Sequence, residues 1–103
     1  MFEFLKELIS SKPKTDLGEL ILSGATIIDV RSKGEFQQGH LKGSINIPLK
    51  NVQEHLPKLK KNKPIIVCCA SGARSGAARG IMRSNGFQDV HNGGAWTSLR
   101  KYM

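Results

Sequence analysis

The chain of 103 residues has only two cysteines, and they are neighbours at positions 68 and 69. Adjacent cysteines cannot build a disulfide framework, and closing them on each other would strain the backbone. Two thiols in an apolar run fit a reducing compartment instead. The three histidines, His40, His55 and His91, show no metal-ligand spacing, so no metal site is expected. No apolar run approaches the roughly 18 residues of a membrane span. The opening residues 1–7 carry acids among the apolar positions and no charged lead before a hydrophobic run, which is unlike a secretory signal. A cytoplasmic protein with no membrane partner is the expectation. Acids are scarce, 8 against 16 basic residues for a net charge of +8. That balance favours anionic partners: small oxyanions, acidic proteins or nucleic acid. The densest lysine cluster, residues 58–63, has no nearby aromatics and no arginine-rich helix, so it reads as a solvated connection and no nucleic-acid partner is expected. The length fits one domain over residues 1–103 with its own core.

Helices and strands alternate along the chain. Phe4, Leu5, Leu8 and Ile9 have helical spacing, ended by Pro13. Asp16 is placed to cap a second helix through Leu22, with Gly24 at its C-terminal turn. Residues 26–30, Thr-Ile-Ile-Asp-Val, read as a buried strand. Ser32 and Glu35 match a capping box for a short helix over 33–38, closed by Gly39. Residues 45–47 form a brief strand stopped by Pro48. Residues 51–59 are helical in pattern, with Val52, Leu56 and Leu59 on one face and Pro57 weakening the interior. A third strand covers 64–68. A helix over 74–85 turns Ala77, Ala78, Ile81 and Met82 inward, with Gly86 after its end. A fourth strand is predicted over 88–91, then a turn at Gly93 and Gly94, then a last helix carrying Trp96, Leu99 and Tyr102. The fold class is α/β, a mainly parallel central sheet with helices on both faces. Ligands in such sheets sit at the carboxyl ends of strands, and Cys69 is at one.

The segment Cys69-Ala70-Ser71-Gly72-Ala73-Arg74-Ser75 carries the most chemistry. A strand delivers a thiol, a tight loop follows, and a helix begins near the arginine. Backbone N–H groups of such a loop converge on one point, where the helix end adds positive potential. A thiol there ionises more readily than a free cysteine, and the thiolate is the nucleophile. Gly72 lets the backbone turn inward without a Cβ clash. Arg74 has two roles open to it: binding an anion, or bracing the loop by pairing with a carboxylate such as Asp29. Asp29, Arg31, Glu35 and His40 resemble an acid–base set, but at a strand end and the following turn they fit structural support better. Trp96 fits the core or a pocket wall, and Arg79 and Arg83 a solvated helix face.

Three separated motifs together resemble the single-domain rhodanese, or thiosulfate sulfurtransferase-like, family. The first is Asp29-Val30-Arg31 with Glu35-Phe36, Gly39-His40-Leu41, Gly43 and Ile47-Pro48. The second is Cys69-x-x-Gly72-x-Arg74-Ser75. The third is Gly86-Phe87-x-Asp89-Val90, then Gly93-Gly94 and Trp96. Their order and spacing, from residue 27 to residue 96, carry the resemblance. One departure is the connection between Val90 and Gly93, which at two residues is shorter than in many members. The resemblance implies a persulfide mechanism with Cys69 as nucleophile, and loop amides supplied by Ala70, Ser71, Gly72, Ala73 and Arg74, with Ser75 beside them. Asp29, Arg31 and His40 are implied to be supporting residues. The implied reaction moves sulfane sulfur from thiosulfate or a persulfide donor to cyanide or a thiol and needs no cofactor; the net positive charge separately fits an acidic protein as a further partner.

Two other functions remain open on the residues. Counted from Cys68, Arg74 follows after five residues, the Cys-x5-Arg-Ser spacing of cysteine phosphatases, so a small phosphatase or arsenate reductase is one alternative. Against it, no histidine precedes either cysteine, and Cys68 continues the apolar strand, where buried thiols are inert. A non-enzymatic interaction module on the same fold is the other. The intact thiol argues against that.

Overall fold

The structure, a computed structural model, describes residues 16–103. The helix expected over residues 4–11 lies outside the described residues.

Helix α1, Leu17–Leu22, begins at Asp16, whose carboxylate accepts the Glu19 N–H at 3.1 Å. Strand β1, Thr26–Asp29, follows. Helix α2, Lys33–Gln38, opens with a full capping box. Ser32 Oγ accepts the Glu35 N–H at 3.2 Å, and Glu35 Oε1 accepts the Ser32 N–H at 3.2 Å. Both signals are local in sequence, so the residue pattern predicts them without any tertiary contact.

Strand β2 is Ile45–Asn46. The helix expected over 51–59 is broken into a 3-10 turn at Leu49–Asn51, a single α turn α3 at Val52–His55, and a second 3-10 turn at Leu56–Lys58. Pro57 accounts for the last break: it has no N–H to continue the ladder, and it sits in the first turn of the last piece, where none is needed. Strand β3, Ile65–Cys69, leads through Gly72 into helix α4, Ala73–Ser84. This helix ends in a Schellman motif. The Phe87 N–H reaches the Met82 carbonyl at 3.0 Å, and the Gly86 N–H reaches Arg83 at 3.1 Å. Gly86 has φ +90°, which a Cβ would oppose.

Strand β4 departs from the prediction. It runs Val90–Ala95, through both glycines, and the expected last helix follows as a 3-10 helix, Trp96–Tyr102. Asn92 pairs with Val67 and Gly94 with Cys68, so Gly93 is the extra residue of a β-bulge. A Cβ on Gly93 would lie 2.8 Å from Ile66 Cγ2, 3.0 Å from Leu99 Cδ1 and 3.2 Å from the Val67 carbonyl oxygen. Gly93 marks a close approach of the strand to its neighbours, and Gly94 takes a left-handed φ of +75° within the strand, so the pair is not a turn.

The four strands lie in the order β2-β1-β3-β4, all parallel, with Asp29 opposite Cys68. Side chains alternate across the sheet and form two cores. On one face, Ile28, Val30, Ile65, Val67, Cys69 and Val90 pack with Val52, Leu56, Ala78, Met82 and Phe87. On the other, Ile27, Ile66 and Cys68 pack with Leu41 and Leu99, flanked by Leu17, Leu20, Ile21, Trp96 and Tyr102. Helices therefore cover both faces. No helix among the described residues is long and apolar enough to cross a membrane.

Gly93→Ala is expected to destabilise the fold by about 1–3 kcal/mol, as overpacking of a tight interior does. Urea unfolding measures it. An unchanged midpoint would show that β4 does not approach Ile66 and Leu99 this closely.

Candidate active site

The end of β1 builds one wall of the site. Asp29 is fully buried, and its carboxylate receives the Arg31 backbone N–H at 3.0 Å and Arg31 Nη2 at 2.7 Å. The same Nη2 donates to the Gly39 carbonyl at 2.6 Å, and the guanidinium lies 4.6 Å from the Trp96 ring centroid. One ion pair thus ties β1, the end of α2 and the C-terminal segment together. Asn46, unmarked in the sequence reading, donates to the carbonyls of both Asp29 and Arg31, at 3.0 and 2.9 Å.

Asp29 is therefore occupied, and the carboxylate facing Arg74 is Glu35. Nη1 and Nη2 of Arg74 meet the two Glu35 oxygens at 2.7 and 3.0 Å. The bidentate geometry has clear electrostatic consequences. Arg74, and then Ser32, hold the Glu35 carboxyl down at about 2, and Glu35 pushes the Arg74 pKa up. A partner 39 residues away in sequence leaves no local signal. His40 stands apart: its Nδ1 lies 2.8 Å from the Phe36 carbonyl, and its ring stacks on Phe36 at 3.8 Å. These contacts brace the end of α2.

Cys69 is the last residue of β3, and its sulfur faces the turn into α4. Sγ accepts the Gly72 N–H at 3.0 Å and the Ser75 N–H at 3.4 Å, and it lies 3.4 Å from Ser75 Oγ. Burial alone would raise its pKa. The Ser75 hydroxyl and N–H, then the N–H groups of Gly72 and Ser71, outweigh burial and bring the thiol to about 7. Among the described residues, Ala70, Ala73 and Arg74 complete the turn without a hydrogen bond to Sγ. Gly72 has φ +105°, the left-handed conformation that aims its N–H inward. Cys68 is equally buried but points to the opposite core. Burial, and then the Asp29 carboxylate, push its thiol up to about 12, so it is a poor nucleophile near neutral pH.

Asn92 is the residue at the turn that the sequence reading overlooked. Its Oδ1 accepts from Ser75 Oγ at 2.6 Å and from the Gly94 N–H at 2.9 Å, while its Nδ2 donates to the Gly72 carbonyl at 3.1 Å. The sequence pattern places it in the gap between a strand and a turn, and only the bulge brings it beside the loop. Next to the loop lies a groove of about 1160 Å³. Val30, Phe36, Pro48 and Leu49 give it apolar walls, and Lys33, Lys50 and Arg74 give it positive charge.

The parallel α/β sheet thus presents a thiol of lowered pKa at a strand-to-helix turn. The chain belongs to the rhodanese-like domain family, whose model matches residues 6–95. Two curated relatives are YqhL of Bacillus subtilis, 37% identical over 66% of this chain and 54% of the relative, and the thiosulfate sulfurtransferase PspE of Escherichia coli, 42% identical over 65% and 66%. The chain spans about half to two thirds of the length of these relatives. A solved rhodanese with anions from E. coli superposes with a TM-score of 0.71 at 37% identity, covering 75% of this chain and 93% of that one.

The two thiols are expected to differ in alkylation. Iodoacetamide should modify Cys69 with a rate that rises through a midpoint near pH 7 and levels above it, whereas Cys68 should stay unmodified in the folded protein across this range. Peptide mapping after timed quenching at a series of pH values reads both. Equal reactivity of the two cysteines would contradict the geometry.

Proposed function

We propose that this chain is a sulfurtransferase that carries sulfane sulfur as a Cys69 persulfide. The observation that supports this best is the Cys69 sulfur at the mouth of α4, receiving the Gly72 and Ser75 N–H groups and brought to about 7. The Cys69 thiolate attacks the outer sulfur of thiosulfate. The new S–S bond forms as the old one breaks, and sulfite leaves with the electron pair. The product, Cys69-S-S⁻, keeps one negative charge within reach of the same donors. A thiolate or cyanide acceptor then attacks the terminal sulfur and returns Cys69 as a thiolate. Two covalent half-reactions of this kind give ping-pong kinetics.

Arg74 serves both roles open to it. A guanidinium has five N–H donors, of which the bidentate pair with Glu35 uses two. The remaining three are available to the sulfonate of the donor, while Glu35 keeps the group at the loop. Ala70, Ser71 and Ala73 shape the turn, Ser75 contacts the sulfur, and Asp29, Arg31 and His40 brace the surrounding walls. The groove adds a clue to the acceptor. Apolar walls with lysines around them suit a thiol carried on a larger, partly anionic molecule, an acidic protein included, and a bare cyanide ion needs neither feature.

Intact-mass measurement after thiosulfate treatment and desalting tests the reading. Wild type and Cys68→Ser are expected to gain one sulfur atom, lost again on adding cyanide, and Cys69→Ser none. Sulfur uptake that survives Cys69→Ser, or a wild type that takes up none and hydrolyses phosphate esters through Cys68, would overturn it.

A further inference from the structure

We propose that Asn92 is a positioning residue for the Cys69 thiol: it holds the Ser75 hydroxyl proton while the sulfur is protonated and releases it when the sulfur ionises. The proposal rests on reading Cys69 as the reactive, sulfur-carrying thiol.

The hydrogen-bond inventory forces the arrangement. A backbone N–H can only donate, so the Asn92 atom 2.9 Å from the Gly94 nitrogen is the side-chain oxygen. A backbone carbonyl can only accept, so the atom 3.1 Å from the Gly72 oxygen is the side-chain nitrogen. Two independent backbone groups therefore fix the same orientation of the amide. Ser75 Oγ lies 2.6 Å from the amide oxygen, which has no proton, so the hydroxyl must donate there. A hydroxyl has one proton. With it committed to Asn92, the lone pairs of Ser75 Oγ face Cys69 Sγ at 3.4 Å. In that state Ser75 can accept the S–H of a thiol but gives nothing to a thiolate.

Ionisation reverses the preference. The thiol proton leaves to solvent, and the sulfur becomes the stronger acceptor, because hydrogen bonds to an ion exceed those between neutral groups. The hydroxyl then turns about its Cβ–Oγ bond from Asn92 to Sγ. The amide oxygen still holds the Gly94 N–H, so it is not left unpaired, and its nitrogen still holds Gly72. Each ionisation thus breaks one neutral bond to Asn92, and the thiol form is favoured by that amount. The charged groups around Cys69 are engaged with other partners. Arg74 on α4 pairs with Glu35 on α2, Asp29 pairs with Arg31 at the end of β1, and Cys68 on β3 is a neutral thiol. On β4 the ionisable His91 pairs with Asp89, and residues 92–94 carry no charge.

The test is the pH dependence of iodoacetamide alkylation of Cys69, in a Cys68→Ser background. Asn92→Ala frees the hydroxyl and is expected to lower the midpoint by up to about one pH unit. With Ser75→Ala also present, Asn92→Ala should leave the midpoint unmoved. A merely structural Asn92 would do the opposite: without it the Gly72 loop loosens, the N–H donors withdraw and the midpoint rises. A rise, no change, or an equal fall with Ser75→Ala overturns the proposal. If Asn92→Ala fails to fold, the wild type answers by NMR. The Asn92 side-chain carbonyl carbon and Ser75 Cβ should titrate together with Cys69 Cβ, and an Asn92 carbonyl that stays fixed through the Cys69 transition overturns it. Neither measurement uses a sulfur donor, so a failure of sulfur uptake by the wild type would count against the transferase reading alone.

Discussion

Consecutive residues on a strand point to opposite faces, and that constraint on β3 decides the chemistry of the two thiols. Ile65, Val67 and Cys69 share one core, and Ile66 and Cys68 share the other. Neither cysteine has exposed surface, and burial raises the pKa of both. The difference lies in what each sulfur meets. Cys68 stays within the sheet, opposite Asp29 of β1, whose carboxylate makes a second anion still harder to form. Cys69 is the final strand residue, so the chain beyond it is free to bend back and aim unpaired N–H groups at the sulfur. Desolvation without donors gives an inert thiol; desolvation with donors gives a concentrated one, because the N–H groups act in a medium that screens them poorly.

Two ion pairs frame this sulfur, and they do different work. Asp29–Arg31 is buried, so its attraction is offset by the cost of removing both charges from water. Its value lies in directionality: the guanidinium also binds the Gly39 carbonyl and lies over Trp96, which fixes three segments at one corner. Glu35–Arg74 is more than a third exposed on both sides, so solvent screens it and it adds little to stability. What it does is keep a cation at the loop. Glu35 is shared between its own capping box and Arg74, so the helix start that shapes the groove and the arginine beside the thiol are held by one carboxylate.

Features set by neighbours in the chain were legible in the sequence. The Asp16 cap, the Ser32–Glu35 box and the Gly86 end of α4 each depend on residues within five positions, and each forms where the pattern predicts it. The parallel α/β architecture followed from alternation, and the tight strand-to-helix turn around Cys69 from the thiol, glycine and arginine spacing. Features set by distant packing were not legible. The pairing of Arg74 with Glu35 in place of Asp29 follows from Arg31 reaching Asp29 first, two residues away. Pro57 announced a weak helix but not its break into 3-10 turns. Gly93 and Gly94 carry the composition of a turn, and only Ile66 and Leu99 closing on Gly93 make them part of a strand.

That same bulge is what joins β4 to the sulfur site. Without the extra residue, every side chain after Asn92 would shift by one and change face. With it, Gly94 takes φ +75° and its Cα lies 3.4 Å from where a Gly72 Cβ would stand. Two left-handed glycines, one after β3 and one in β4, therefore approach back to back, and a Cβ at Gly72 would touch the β4 backbone while holding an unfavourable φ. Asn92 bridges the pair, holding the Gly72 carbonyl with its nitrogen and the Gly94 N–H with its oxygen. The Gly72 N–H that faces the sulfur is thus aimed by a conformation that β4 enforces from the other side. A local irregularity in an outer strand becomes a condition on the acidity of a thiol in its neighbour.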